Sequence, residues 1–119
     1  TQGGAAGAIV STAEDMARFV DGLFEGRLFE REATLAEMLD ARKLSTAEGS
    51  GVFAGYGLGL ISFLTDGYTA IGHGGQTPGF QSVWFRVPET ETTVVMLTNS
   101  GTCRALLMPL TVPAELVGP

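Results

Sequence analysis

Gly72-His73-Gly74-Gly75-Gln76-Thr77-Pro78-Gly79-Phe80 gathers four glycines and the chain's only histidine into nine residues. What stands on either side of it sets the architecture. Downstream, Phe80 to Val87 alternates in part and carries Val83, Trp84 and Phe85, residue types that suit a pleated surface, so the segment is predicted as a strand. Pro88-Glu89-Thr90-Glu91 is a turn, and Thr92 to Thr98 holds Val94, Val95, Met96 and Leu97 in succession. That run predicts a second strand, buried on both faces. Upstream, Tyr56 to Leu64, with Leu58, Leu60 and Phe63, predicts a further strand. Thr65-Asp66-Gly67 turns the chain, and Tyr68 to Gly72 is predicted to pair back as the other hairpin arm.

Before these strands the period is helical. Ser11 followed three residues later by Glu14 has the pattern of a capping box, and Asp15 adds negative charge to the first turn. Met16, Phe19, Val20, Leu23 and Phe24 then fall on one face, with Glu14, Arg18, Asp21 and Glu25 on the other. The spacing predicts a helix from Ser11 to Glu25, stopped by Gly26. A second helix is predicted from Glu32 to Arg42 on Leu35, Met38 and Leu39, and the small residues of Ser45 to Gly55 predict a loop. After the strands, Leu106 to Leu116 is cut into short helical pieces by Pro109 and Pro113. Helices first, then strands joined by short turns, describe an α+β layer structure rather than a βαβ winding.

Composition narrows the functional classes. The chain has 119 residues, 45% of them apolar, which suits one small domain. A formal charge of −6 argues against nucleic acid or an anionic membrane as partner. No apolar run reaches the roughly 20 residues that cross a bilayer. Cys103 is the single cysteine; it excludes an internal disulfide and, among Ala105, Leu106 and Leu107, reads as a buried structural thiol. The acidic residues show no pairing that suggests a metal site or two-carboxylate chemistry, and no cofactor is called for. Taken by itself, one histidine among glycines reads as a structural or surface residue, and a Ser-His-Asp triad has no support in the sequence.

The order of motifs changes that reading. Gly7-Ala8-Ile9-Val10 runs into Ser11-Thr12-Ala13-Glu14-Asp15-Met16. Tyr56-Gly57-Leu58-Gly59, Gly72-His73-Gly74-Gly75, Gly79-Phe80, Pro88 and the strand end Leu97-Thr98-Asn99 follow in turn. This succession, covering residues 5 to 100, resembles the serine β-lactamase-related family that also holds D-alanyl-D-alanine carboxypeptidases and esterases. The resemblance implies a β-lactamase/transpeptidase-like fold, here its C-terminal antiparallel strands and covering helices. Residues 1–102 would form the C-terminal part of the hydrolase domain, and 103–119 a terminal helix or the start of a linker.

Three motifs meet in that family's active site: S-x-x-K with the nucleophile, Y-x-N or S-x-N, and K-T-G or H-x-G on a sheet edge. Only the third is matched here, by His73-Gly74-Gly75. The resemblance implies a catalytic role for His73, as a donor or cation facing the tetrahedral centre, and for Gln76, whose backbone N–H would be one of two oxyanion donors. Gly74 and Gly75 would let substrate approach the strand backbone. Phe80, next to Gly79, reads equally as a residue of the site rim or of the core. Gly74 replaces the usual Thr or Ser and so removes a hydroxyl that grips a substrate carboxylate. That points to esters and small amides over penicillins or peptidoglycan stems. Ser11 reads as a helix cap, Trp84 and Phe85 as sheet packing, and Asn99 as a turn residue.

S-x-x-K is absent, since Lys43, the only lysine, has Asp40 three residues before it. The expectation is therefore a part of a serine hydrolase acting on an ester, amide, peptide or β-lactam through an acyl-enzyme. The N-terminal half of the same domain would be its partner and would supply the serine. The alternatives are a catalytically inactive relative used for binding, and an unrelated small α+β interaction domain.

Overall fold

The first helix, α1 (Ala13–Phe24), is started by Thr12, whose backbone is extended and whose Oγ1 accepts from the Asp15 N–H at 3.1 Å. The cap thus lies one residue beyond the Ser11 position expected from sequence. Both hydroxyl residues have an acid three positions on, so local chemistry permits either register; here Ser11 Oγ only donates to the neighbouring Thr12 carbonyl at 3.3 Å. The helix ends as expected at Gly26. With φ at +72°, that residue lets Arg27 N–H reach Gly22 O (2.9 Å) and Gly26 N–H reach Leu23 O (3.2 Å), the double closure of a Schellman motif. Val20 and Leu23 are buried, whereas Phe19 stays 48% exposed and is not part of the buried stripe.

These positions come from a computed structural model, which describes residues 4–40, 53–65 and 67–117. Helix α2 (Ala33–Leu39) is shorter than the span expected to Arg42, whose last two residues lie outside the described ones. Most of the expected loop from Ser45 lies outside them too, but Phe53 to Gly55 are strand, not loop.

Five strands follow: β1 (Phe53–Tyr56), β2 (Ile61–Phe63), β3 (Ala70–Thr77), β4 (Phe80–Val87) and β5 (Thr92–Thr98). They pair antiparallel in sequence order, a meander. The span Tyr56 to Leu64 is not one strand. Gly57 N–H bonds Leu60 O at 2.7 Å and Gly59 takes φ +79°, so the glycines fold the chain back inside an apolar run. The glycine-dense stretch, in contrast, is extended as far as Thr77, and Pro78-Gly79 closes a two-residue hairpin onto Phe80. Strands β4 and β5 have the bounds read from sequence. Strand β5 is only half-buried, with Leu97 41% exposed, because it is the edge strand of the sheet among the described residues.

One face of the sheet carries Ile61, Phe63, Ala70, Val83, Phe85 and Val87. A 3-10 helix (Ala105–Leu110) and the short α3 (Ala114–Val117) close over it; Ala105 and Val117 enter the same core, and Met108 and Val112 pack against it. The two prolines act as expected, Pro109 within the 3-10 turn and Pro113 ahead of α3. Tyr68 fastens this cover, donating its hydroxyl to Pro109 O and, at 3.4 Å, to Val112 O. Burial pushes its phenol above the ordinary 10.0. Cys103 is partly exposed rather than buried, since it precedes the segment that enters the core.

The opposite face meets α1. Arg86 reaches from β4 to Asp21 of α1 (Nη1 to Oδ1, 2.8 Å), and Thr93 of β5 donates to the same oxygen at 2.7 Å. Helix, sheet and short helices thus form three layers of an α+β fold.

Candidate active site

Strand β2 begins at Ile61, opposite Gly72 of β3, and so covers β3 no further than Gly72. From His73 to Thr77, strand β3 keeps β4 on one side, and among the described residues no strand pairs with it on the other. The two-residue hairpin closes on Thr77 and Phe80, and antiparallel pairs alternate between bonded and non-bonded. Counting back from that closing pair, the N–H groups of Gln76 and Gly74 point toward the open edge. A run of backbone donors facing outward from a rigid strand is what a carbonyl-bearing ligand can use.

The glycines around His73 have different packing duties. A Cβ on Gly72 would lie 2.0 Å from Trp84 O and 2.7 Å from Phe85 Cα, so β3 and β4 can approach only with glycine there. A Cβ on Gly74 would meet Leu106 Cδ1 at 2.5 Å and Ser82 O at 3.1 Å. Gly74 is thus turned toward the 3-10 helix, and a threonine or serine there would run into Leu106. Gly75 is exposed, and its Cβ position meets only Ser82 Oγ, at 3.1 Å.

His73, opposite Trp84 in register, is half-buried. Its Nε2 lies 2.6 Å from Tyr56 Oη, and the two rings pack edge to face, 5.7 Å between centroids at 89°. Tyr56 is the site residue that sequence reasoning missed, because its partner lies two strands away in the sheet. The available signal was the Tyr56-Gly57-Leu58-Gly59 motif itself. Gly57 is pinned, since a Cβ there would sit 2.1 Å from Met38 O, and Leu58 N–H bonds the same carbonyl at 3.1 Å. The end of α2 therefore anchors the turn that carries Tyr56.

Other expected residues lie further off. Phe80 is 61% exposed beyond the hairpin turn. Asn99 is exposed past the end of β5, where Thr98 Oγ1 accepts from Ser100 N–H at 3.1 Å. Phe85 is fully buried and Trp84 half-buried in the sheet. The Gln76 side chain lines a shallow cleft with Gln81, Cys103, Arg104 and Leu106. Strand alternation puts that cleft on the opposite face from His73. Among the described residues no three metal-binding side chains cluster.

A five-stranded antiparallel meander, flanked by helices and carrying His-Gly-Gly on a strand that outruns its neighbour, has the β-lactamase/transpeptidase-like architecture. The family model described as Beta-lactamase matches residues 1–105, and the chain belongs to that family. Among solved structures it resembles a D-amino acid amidase from Ochrobactrum anthropi SV3. In the complex with D-phenylalanine the TM-score is 0.66 at 31% identity, covering 83% of this chain and 33% of the amidase. In the complex with L-phenylalanine amide it is 0.61 at 31% identity, covering 76% and 26%. The chain thus spans between a quarter and a third of the length of the amidase chains it matches. No curated protein matches it. The fold and these neighbours make the chain part of a serine-hydrolase-like domain.

Proposed function

We propose that this chain supplies the strand-edge wall of an acyl-transfer site in a serine hydrolase whose substrates are small amides or esters. The observation that carries the reading is the edge of β3, where His73, held at 2.6 Å by Tyr56, stands beside outward-facing backbone donors. The amidase neighbours favour an amide of an amino acid over a β-lactam.

In this reading the nucleophilic serine comes from a part of the protein outside these 119 residues. Its oxygen bonds the carbonyl carbon as its proton passes to a base of that same part of the protein, which later hands it to the leaving group, and the carbonyl π electrons move onto oxygen. Gln76 N–H and the serine's own N–H stabilise that oxyanion. Collapse of the intermediate expels the amine or alcohol, which takes up a proton, and leaves an acyl-serine. Water then adds to the acyl carbon, the bond to the serine oxygen breaks, and one water proton returns to that oxygen as the acid leaves. His73 donates a hydrogen bond to the substrate or its leaving group at this wall. Gly75 keeps the adjoining backbone bare, and Phe80 borders the mouth.

The test is His73→Ala in the whole protein, assayed on an amino-acid amide and an activated ester. The kcat/KM is expected to fall by about 10²-fold or more, the scale for a positioned polar catalytic group. Activity within about twofold of the parent would reduce His73 to a structural residue.

A further inference from the structure

We propose that Tyr56 is a positioning residue for this site: its hydroxyl donates to Nε2 of His73 and holds the ring as the Nδ1–H tautomer, leaving Nδ1 as the nitrogen that serves a ligand. The inference rests on the reading of His73 given above. It says which nitrogen acts and what fixes it.

Tyr56 Oη and His73 Nε2 lie 2.6 Å apart. Two arrangements of protons satisfy it for a neutral ring. Either the phenol donates to a bare Nε2, or an Nε2–H donates to the phenol oxygen. A phenol is the more acidic donor of the two, and an imidazole nitrogen is the far more basic acceptor. The first arrangement therefore wins, and it places the ring proton on Nδ1. On protonation the ring carries hydrogens on both nitrogens, Nε2–H turns to donate to Tyr56 Oη, and Nδ1–H is unchanged. In both charge states Nδ1 is a donor, the role that a strand-edge lysine or histidine has to fill beside an oxygen-bearing substrate.

The surroundings keep the phenol in place. The edge-to-face packing of the rings restricts both side chains. Tyr56 also precedes a turn locked by Gly57 N–H to Leu60 O and by Leu58 N–H to Met38 O. A tyrosine held this firmly orients the imidazole through its own backbone, as second partners of functional histidines do elsewhere.

The experiment is nitrogen NMR of the protein labelled with ¹⁵N-histidine, at a pH above the imidazole's range, with the His73 signals assigned by their loss in His73→Gln. Protonated and bare ring nitrogens have well-separated shifts, so the tautomer is read directly. The expected result is a bare Nε2 and a protonated Nδ1 in the parent, and a mixture or the reverse in Tyr56→Phe. That variant is also expected to lower kcat by about 10-fold or more, with KM changed by less than about twofold. A protonated Nε2 in the parent overturns the proposal without any Tyr56 variant, so it stays testable even if Tyr56→Phe folds poorly. Unchanged tautomer or unchanged kcat in a folded Tyr56→Phe overturns it as well. If instead the tautomer shifts as expected while His73→Ala keeps full activity, the tautomer assignment stands and the functional reading of His73 falls.

Discussion

Gln76 is best tested through its backbone. Its N–H is directed away from β4, so a proline at 76 removes no bond between β3 and β4, and proline is tolerated where a strand's donor faces an open edge. Gln76→Pro in the whole protein is expected to keep the fold and lower kcat by about 10²–10³-fold, the scale of losing one oxyanion donor. Gln76→Ala, which keeps the N–H, is expected to stay within about twofold. Equal losses from both in folded protein would move the oxyanion donor elsewhere. The sequence made the glycines around His73 legible as places of close approach, but not what approaches them. Gly72 answers to Trp84 O and Gly74 to Leu106, contacts that exist only after the strands register and the 3-10 helix docks. Tyr56 stood in a motif, but for the same reason its role was hidden: a tyrosine at a strand end has no local feature that names a histidine across the sheet.

Among the elements, α1 is joined to the sheet by one polar cluster whose members are unequally buried. The Arg86 side chain is 9% exposed, and that of Asp21 39%. Removing Asp21 leaves a guanidinium charge inside, with Thr93 Oγ1 as its remaining partner at 2.9 Å. Removing Arg86 leaves a carboxylate that water can still reach. Asp21→Ala is therefore expected to cost about 3–5 kcal/mol, as for a buried pair broken on one side. Arg86→Met, which keeps the stem's packing, is expected to cost about 1 kcal/mol. Urea melts of both variants measure this; equal losses would mean that burial does not govern the cluster. The element boundaries show which signals survive folding. Strands β4 and β5 match the sequence reading because their limits are turns made by Pro78-Gly79 and Pro88 to Glu91, which act locally. The split of β1 from β2 was hidden because Leu58 and Leu60 continue the apolar pattern through the turn; Leu58 is 66% exposed and Leu60 is buried, a difference set by tertiary contacts alone.

For the molecule as a whole, the expectation is that these 119 residues do not form a catalyst by themselves. They contain no S-x-x-K, and among the described residues Ser11 only bonds its neighbour's carbonyl, while Ser82 Oγ lies beside Gly75 within the sheet. Ile9 is 84%, Val10 98% and Leu58 66% exposed, and among the described residues no strand lies beside the edge from His73 to Thr77. Apolar groups and open strand edges of this kind favour association, against which a net charge of −6 is a modest brake. Incubated alone with a fluorescent β-lactam and with p-nitrophenyl acetate, the chain should show neither covalent labelling nor turnover above buffer. Its sedimentation should become concentration-dependent. In the whole protein, or with the remainder of the domain co-expressed, labelling should appear at a serine outside residues 1 to 119. Mass spectrometry decides between the outcomes: a stoichiometric acyl adduct on Ser11, Ser82 or any other serine of this chain would place the nucleophile here and remove the reading of β3 as a wall that serves a serine from elsewhere.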